Sequence, residues 1–436
     1  MAWSSVIDPR VTLLGSLAVL IALRVPIAFA LGLASLAVVW QLGLPPLIVA
    51  QRMAAGVNAF PLLAIPFFIL AGNLMVEGGV ARRLVAFARL LVGRIPGGQG
   101  MVNVVDSMLF GGISGSAVAD VAATGSIDIP LMVQAGYDRG LAVALTVASS
   151  TQGIIIPPSH NAVIYSMAAG GVSIGALFLA GYIPGILVGL SLMLTVYVLA
   201  VRHRYPRFPL PGWREAARIV ADGLLGLLTG VIIIGGIVFG VFTATEAAAV
   251  GALYALVLGA AVYRELDLPR LWKAIRRSVR TTALVAFIIA TSSAFAWLMA
   301  YLRIPAALSE WLPSVTRSPA VLLLMMNLLL LVLGAIMDMA PLIVIVTPIL
   351  LPVAKAYGID PVHFGIILLL NLGVGLSTPP VGTALFVGCG VGRVSIEEAS
   401  RNMMYFWPAM LAVLLLVTFV PDLVLWLPRV FGLVGP

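Results

Sequence analysis

Charged residues are scarce in this 436-residue sequence. Asp, Glu, Lys and Arg together make up only 10% of it, whereas 61% of the residues are hydrophobic and the mean hydropathy is +1.13. Soluble domains carry about 25% charged residues, so this composition excludes a soluble globular protein. It predicts an all-α polytopic membrane protein that lies in a lipid bilayer.

Several chemical signatures are also missing. A single cysteine, Cys389, excludes an internal disulfide. The three histidines are scattered and lack metal-ligand spacing. No Gly-x4-Gly-Lys-Ser/Thr loop is present, so we do not expect ATP to drive this chain directly. The first residues do not form a charged stretch, a short apolar core and a small-residue cleavage site, so we expect no cleavable signal peptide.

The basic residues, which give a net charge of +8, form three groups along the chain. By the positive-inside rule these groups are cytoplasmic, which is a better explanation than nucleic-acid binding for so apolar a chain. The groups are Arg82, Arg83, Arg89 and Arg94; Arg202, Arg204, Arg207, Arg214 and Arg218; and Arg264, Arg270, Lys273, Arg276, Arg277 and Arg280.

Apolar segments between these groups predict a topology with both termini in the periplasm. The first two spans are short, and one long broken helix is the alternative. The predicted spans are 10–24, 25–44, 60–78, 140–170, 174–200, 219–242, 246–263, 281–300, 362–390 and 405–428. Residues 99–135 and 320–355 are interrupted by "GGISGS" and "GAIMDMAP" and must end on the side where they begin, which predicts two re-entrant hairpins.

The sequence contains an internal repeat. Pro157 and Pro158 recur as Pro379 and Pro380, an offset of 222 residues. The same offset relates five more pairs: Gly112 and Gly334, Pro130 and Pro352, Gly136 and Gly358, Asp138 and Asp360, and Gly153 and Gly375. In the predicted topology the first hairpin starts inside and the second outside, so the repeats are inverted, as in many secondary transporters.

Each Pro-Pro pair interrupts a predicted membrane helix. Proline removes a backbone donor, and an unsatisfied polar group in hydrocarbon costs several kcal/mol. We therefore expect the two breaks to face each other across an aqueous substrate site. The alternative is a pair of kinked helices packed for shape alone.

The hairpin tips and the breaks supply the candidate site residues. Carbonyl and hydroxyl oxygens suit a small alkali cation, and the positive end of a half-helix suits an anion. For sodium the candidates are Gly112, Ser114, Ser116, Gly153, Pro157, Gly334, Asp338, Gly375, Thr378 and Pro379. For the substrate they are Ser149, Ser150, Ser159, Asn161, Ser377, Gly382 and Thr383. Any single serine is explained better by a hydrogen bond to its own helix than by ligation, and only the whole set of residues indicates a site.

Acidic residues inside a membrane are functional candidates. Asp338 lies at the second tip, where the first repeat has Ser116. Asp106, Asp120 and Asp128 lie along the first hairpin, and pairing with a neighbour or cytoplasmic exposure is their alternative explanation. Neither tips nor breaks offer an arginine for a carboxylate, and Arg24 lies far upstream.

Four stretches of sequence resemble the large membrane subunit of tripartite ATP-independent periplasmic (TRAP) transporters. They are "SGSAVAD", "GIIIPPSHN", "FTATEAAAVGALYA" and "PILLPVAKAYGIDPVHFG" with "LSTPPVGTALFV", and the resemblance covers nearly the whole chain. It implies a sodium-coupled elevator transporter in the bacterial inner membrane, with the hairpin tips and breaks forming the sodium and substrate sites. It also implies a small organic-acid substrate and two partners, a small four-helix membrane subunit and a soluble periplasmic substrate-binding protein. We expect the unfused form.

The predicted organisation follows from the repeat and the resemblance. Scaffold helices and a connector occupy 1–94, and the first transport-domain hairpin and broken helix occupy 95–173. A connecting helix and linker (174–218) lead to scaffold helices (219–318), the second transport-domain unit (319–392) and a C-terminal helix (393–436). The loops at 44–58 and 301–318 are candidate partner contacts.

Three alternatives remain. The nearest is a standalone sodium–dicarboxylate symporter of related fold. A channel would show a ring of like charges, which the sequence lacks. An intramembrane enzyme would need a nucleophile–base pair, and neighbours such as Ser159 and His160 point apart on a helix.

Overall fold

All regular secondary structure in the described part of the chain is helical, as composition predicts. The computed structural model describes residues 8–209 and 211–435. Within these ranges, seven helices are long and apolar enough to cross a membrane, and nine if each of two bent pairs counts as one span. The predicted periplasmic termini fall on residues 1–7 and 436, outside the described ranges.

The helices follow the chain in two halves. The first half contains α1 (Pro9–Ala22), α2 (Ile27–Gln41), α3 (Leu47–Val57), a 3₁₀ turn (Phe60–Leu63), α4 (Ala64–Glu77), α5 (Val80–Val92), α6 (Gly98–Ser114), α7 (Ala117–Ala123), α8 (Gly125–Gln134), α9 (Arg139–Ser150), α10 (Gln152–Ile155), α11 (His160–Ala168) and α12 (Ile174–His203). The second half contains α13 (Trp213–Val238), α14 (Ala244–Val257) with a π turn (Leu258–Val262), α15 (Leu268–Tyr301), α16 (Ile304–Val315), α17 (Pro319–Ile336), α18 (Met339–Ala356), α19 (Pro361–Leu376), α20 (Thr383–Gly392), α21 (Ile396–Met403), α22 (Trp407–Phe419) and α23 (Asp422–Val430).

The sequence repeat is also a structural repeat. Helices α7 and α18 begin at Ala117 and Met339, and α9 and α19 begin at Arg139 and Pro361, each pair 222 residues apart. The same offset separates the first residues of α12 and α21. Each half therefore contains one helical hairpin followed by one broken helix, with α6–α8 and α17–α18 as the hairpins.

The three basic groups meet at one end of the molecule. Glu265, between α14 and α15, accepts hydrogen bonds from Arg82 and, at 2.7 Å, from Arg83. Burial would raise the pKa of Glu265, but the two guanidinium groups outweigh it and lower that pKa below its ordinary value. The guanidinium carbon of Arg89 lies 4.1 Å from the ring centre of Phe208 in the linker. These contacts are therefore consistent with the prediction that all three basic groups lie on the same side of the membrane.

The two hairpins open at opposite ends of α15. At the base of the first, the ring of Tyr137 stacks on Tyr205 of the linker, with centroids 3.8 Å apart, at the basic end. At the base of the second, the Tyr357 hydroxyl donates to the Thr316 carbonyl at 2.7 Å, beyond the other end of α15. With 34 residues, that helix is about 50 Å long. These contacts are consistent with the predicted inversion of the two hairpins. The 18-residue arms of the second are long enough to cross a membrane, so the re-entrant depth stays a prediction.

Two segments predicted to be loops are helices instead. Residues 44–58 contain α3 and residues 301–318 contain α16. Helix α3 packs on α15 and exposes most of its residues. Its composition is therefore mixed, and from the sequence alone it resembles a loop. Helices α1 and α2 are separate short helices that pack on each other, which favours two segments over one broken helix. Arg24 ends α1 in the left-handed region, at φ 62°.

Candidate functional site

The first hairpin tip packs directly on the first Pro-Pro break. Gly115 ends α6 with φ 63°, and a Cβ atom there would come within 2.7 Å of the Pro158 carbonyl oxygen. At Gly112 a Cβ atom would lie 3.3 Å from the Pro157 oxygen. Glycine permits this approach because it has no side chain. Carbonyl oxygens of the break therefore lie against the backbone of the tip, as a shared cation site requires.

Two buried hydroxyls at this junction have no hydrogen-bond partner within the described ranges. Ser114 is 6% exposed and Ser159 is 1% exposed, and the Oγ atoms of both are unpartnered. Ser116 begins α7, and its Oγ accepts a hydrogen bond from the Ala119 N–H at 3.3 Å. Because buried polar atoms are normally satisfied, the two free hydroxyls fit the predicted ligation of a small cation.

The second tip meets the second break in the same manner. A Cβ atom on Gly375 would approach the backbone of Gly334 to 2.7 Å. The Val381 N–H donates to the Ala335 carbonyl at 3.0 Å. Here the break also holds the acidic side chain of the tip, because the Thr383 hydroxyl donates to Asp338 Oδ1 at 3.0 Å. The half-buried Asp338 precedes the first residue of α18.

Both tips open onto one cavity of about 260 Å³. This volume is close to the lower limit for small-molecule sites, about 300 Å³. Two groups of elements line it. Hairpins and breaks contribute Ser114, Ser116, Ala117, Val118, Ala119, Ile154, His160, Asn161, Asp338, Met339, Ala340 and Leu376, and helices α4 and α15 contribute Ile69, Gly72, Asn73, Val76, Arg277, Thr281 and Val285.

The cavity is lined by both positive and negative groups. Arg277 reaches it from α15, and α11 and α18 begin at it with His160 and Met339. Helix N-termini present free N–H groups that suit an anion. Asp338 supplies negative charge at the second tip. An anion with a carboxylate and an accompanying cation both find complementary groups here.

The structure brings only part of the predicted substrate set to this cavity. Asn161 lines it, whereas Ser149, Ser150, Ser159, Ser377, Gly382 and Thr383 do not. Ser150 and Ser377 donate to carbonyls of their own helices, at 2.8 Å and 2.7 Å. Thr378, a sodium candidate, does the same at 2.9 Å. These hydroxyls have the local hydrogen bond that is the alternative explanation for a single serine.

Arg277 is the residue that sequence reasoning missed. The tips and breaks themselves offer no arginine, but α15 brings Arg277 to the same cavity, and in the sequence the basic group near residue 277 was considered only as a topology signal. Arg277, Thr281 and Val285 all line the cavity, and their spacing of four places them on one face of α15. That spacing was visible in the sequence, but which face meets the tips depends on tertiary packing. His160 also lines the cavity, although it was not among the predicted site residues.

Inverted hairpins, broken helices and a polar cavity between them define a polytopic membrane transport protein. The family described as "Tripartite ATP-independent periplasmic transporter, DctM component" matches residues 14–423. The chain belongs to this family, the large permease subunits of TRAP transporters, and is a multi-pass membrane protein consistent with a bacterial inner membrane.

Several relatives are similar over most of their length. The uncharacterized protein YgiK of Salmonella typhimurium is 46% identical over 98% of both chains. The sialic acid TRAP transporter large permease protein SiaM of Vibrio cholerae is 43% identical over 88% of this chain and 89% of its own. The C4-dicarboxylate TRAP transporter large permease protein DctM of Rhodobacter capsulatus is 37% identical over 96% and 98%.

A solved structure supports the fold. The YdaH transporter of Alcanivorax borkumensis superposes with a TM-score of 0.61 over 89% of each chain, at 17% sequence identity. At that identity the likeness concerns the fold alone. The predicted all-helical transporter architecture is therefore confirmed, whereas the elevator movement and the domain boundaries stay predictions.

Proposed function

We propose that this chain is the permease of a sodium-coupled transporter that imports a small organic acid, delivered by a periplasmic binding protein. The observation that carries the proposal is the cavity where both hairpin tips meet Arg277. Arginine is suited to a carboxylate because its planar fork donates parallel hydrogen bonds. Sialic acid and C4-dicarboxylates, the compounds in the names of two relatives, both carry a carboxylate.

Sodium would bind where each tip meets its break. At the first junction the free hydroxyls of Ser114 and Ser159 and nearby carbonyls supply hard oxygen ligands. At the second, Asp338 supplies a carboxylate. One cation crossing a 100 mV potential provides about 2.3 kcal/mol, and a tenfold concentration gradient adds about 1.4 kcal/mol. Two sodium ions would thus provide about 7 kcal/mol. A monovalent anion that enters against the same potential costs about 2.3 kcal/mol, and the remaining ~5 kcal/mol would support more than thousandfold accumulation.

The chain would work by alternating access rather than as an enzyme. The hairpins and broken helices form one wall of the cavity and helices α4 and α15 form the other. If the first wall slides along the second, substrate and ions held by the tips are carried across the membrane. Membership of the family implies a small membrane subunit and a periplasmic binding protein. Delivery by a soluble partner would compensate for weak binding in so small a site.

Reconstitution tests the proposal against the standalone symporter. The purified chain is placed in liposomes with an inward sodium gradient, and radiolabelled sialic acid or succinate is added. Its candidate membrane subunit and loaded binding protein are supplied separately and together. We expect uptake only with all three proteins and sodium. Uptake by the chain alone would establish the symporter instead, and uptake that persists after the gradient is replaced by potassium would remove sodium coupling.

A further inference from the structure

Three carboxylates are buried inside the first hairpin, away from its tip. Asp106 lies on α6, Asp120 on α7 and Asp128 on α8, and each is 0% exposed. Asp106 interacts electrostatically with both of the others. None of the ion pairs in the described ranges involves any of them. Buried charges are ordinarily paired or bound to a metal, so this cluster needs compensation from elsewhere.

Neighbouring side chains satisfy Asp128 and one oxygen of Asp120, whose Oδ1 accepts a hydrogen bond from the Thr124 hydroxyl at 3.1 Å. Asp128 accepts from Gln99 Nε2 at 2.9 Å and from Asn103 Nδ2 at 3.1 Å. Asp106 accepts no hydrogen bond, because both of its carboxylate oxygens are unpartnered within the described structure. Its burial without a donor is therefore unexplained by hydrogen bonding.

Three further oxygen atoms beside Asp106 also lack partners. They are Asn103 Oδ1, Ser107 Oγ and Asp120 Oδ2, and their side chains are all 0% exposed. Asn103 and Ser107 flank Asp106 on α6 and are not acidic. The Ser107 hydroxyl interacts with Asp120, so the free Oδ1 of Asn103 is the observation independent of the carboxylates. A proton can satisfy one or two acceptors, whereas a metal cation is held by several oxygens at once. The excess of acceptors therefore favours a cation.

The second repeat provides an internal comparison. At the offset of 222 residues, Asp120 and Asp128 correspond to Leu342 and Leu350. Those leucines are buried, at 2% and 4% exposure. The helical hairpin thus packs with apolar side chains at the positions of Asp120 and Asp128, so these two acids are not needed for its architecture; the counterpart of Asp106, Leu328, is 66% exposed.

We propose that the first hairpin binds a small monovalent cation, for which sodium is the first probe, between Asp106 and Asp120 with Asn103 and Ser107 as neutral ligands. Mg²⁺ dehydrates reluctantly, and Ca²⁺ takes six to eight oxygen ligands, more than the cluster offers.

This site is separate from the predicted sodium sites at the tips. Asp106 precedes Ser114 by eight residues on α6, which corresponds to about 12 Å along the helix. The inference goes beyond the proposed function and does not need the tips to bind sodium. If the hairpin moves during transport, its cation moves with it and adds to the charge that each cycle carries.

Binding of ²²Na⁺ to the purified full-length chain tests the site. Asp106→Asn keeps the shape and removes the charge, Ser107→Ala removes one ligand, and Asp222→Asn on α13 is the matched control. We expect Asp106→Asn to bind one sodium ion fewer per chain than the wild type. Ser107→Ala should weaken the affinity of one ion about tenfold, and the control should bind like the wild type.

Thermal unfolding separates binding from folding. We expect Asp106→Asn to unfold at or above the wild-type temperature without sodium, and to gain less stability when sodium is added. Unchanged sodium stoichiometry in Asp106→Asn together with unchanged affinity in Ser107→Ala would overturn the proposal. So would displacement of ²²Na⁺ from this site by micromolar Ca²⁺ or Mg²⁺. Asp338→Asn, measured in parallel, reports on the tips, so failure of one site is distinguishable from failure of the other.

Discussion

Replacing Arg277 with glutamine should impair uptake of an acidic substrate. Arg277 lines the cavity between the hairpin tips, and it forms no ion pair with a carboxylate in the described ranges. Lys273, one turn earlier on α15, is engaged with Glu77 at 2.9 Å. Arg277 is therefore the cationic side chain of this wall that remains available to a bound anion.

The expected magnitude follows from its exposure. A hydrogen bond to a charged group contributes about 1.5–3 kcal/mol. Arg277 is exposed on the open side of the cavity, where water screens the interaction, so the lower value of about 1.5 kcal/mol applies. Since 1.4 kcal/mol corresponds to a factor of ten, kcat/KM for uptake should fall about tenfold. Arg277→Lys keeps the charge but loses the planar fork and should fall less.

Arg276 supplies the matched control. It is also exposed, does not line the cavity and points about 100° away around the helix. Arg276→Gln removes the same charge from the same end of α15. Initial rates are measured in liposomes that contain the permease and its partners, at limiting loaded binding protein. Equal losses in the two variants would show a general electrostatic effect, and unchanged uptake in Arg277→Gln would refute carboxylate binding by this residue.

Three other predictions address the tips, the packing and the topology. Asp338→Asn should abolish or strongly weaken sodium-dependent uptake while insertion is normal, and wild-type sodium dependence would remove Asp338 from the site. Gly375→Ala should destabilise the chain by about 1–3 kcal/mol, seen as a lower unfolding temperature, because its Cβ would lie 2.7 Å from backbone; an unchanged temperature would refute tight packing. In a Cys389→Ser background, cysteines at positions 139 and 355 should be labelled from opposite sides of the membrane, and labelling of both from one side would contradict the inverted repeats.

The hairpins were predictable because their limits are encoded locally. The predicted segment 99–135 corresponds to α6–α8, which run from Gly98 to Gln134, and 320–355 corresponds to α17–α18, from Pro319 to Ala356. Glycine and proline mark these ends and breaks through backbone conformation alone. The offset between the repeats then relates one half to the other without any knowledge of packing.

The cavity was less predictable because it joins distant segments. Arg277 and Asn73 approach the tips only through the packing of α15 and α4. Part of that packing is a hydrogen bond between the two helices, which Asn73 Nδ2 donates to Ser278 at 2.9 Å. Whether Asp106 is exposed, paired or buried without a partner also depended on tertiary structure. Its sequence context allowed a paired or an exposed carboxylate, and the structure places it at 0% exposure without a hydrogen bond.

The two repeats share a backbone but distribute their acids differently. The second carries Asp338 at its tip, where the first has Ser116, and the first carries Asp120 inside its hairpin, where the second has Leu342. Similar inverted backbones allow inward-open and outward-open arrangements of comparable energy, which alternating access requires. Identical side chains would give both halves the same ion affinity. In the proposed mechanism each hairpin would bind its own cation with its own affinity because the acids differ, so the fold would supply the movement and the unequal side chains would supply the coupling.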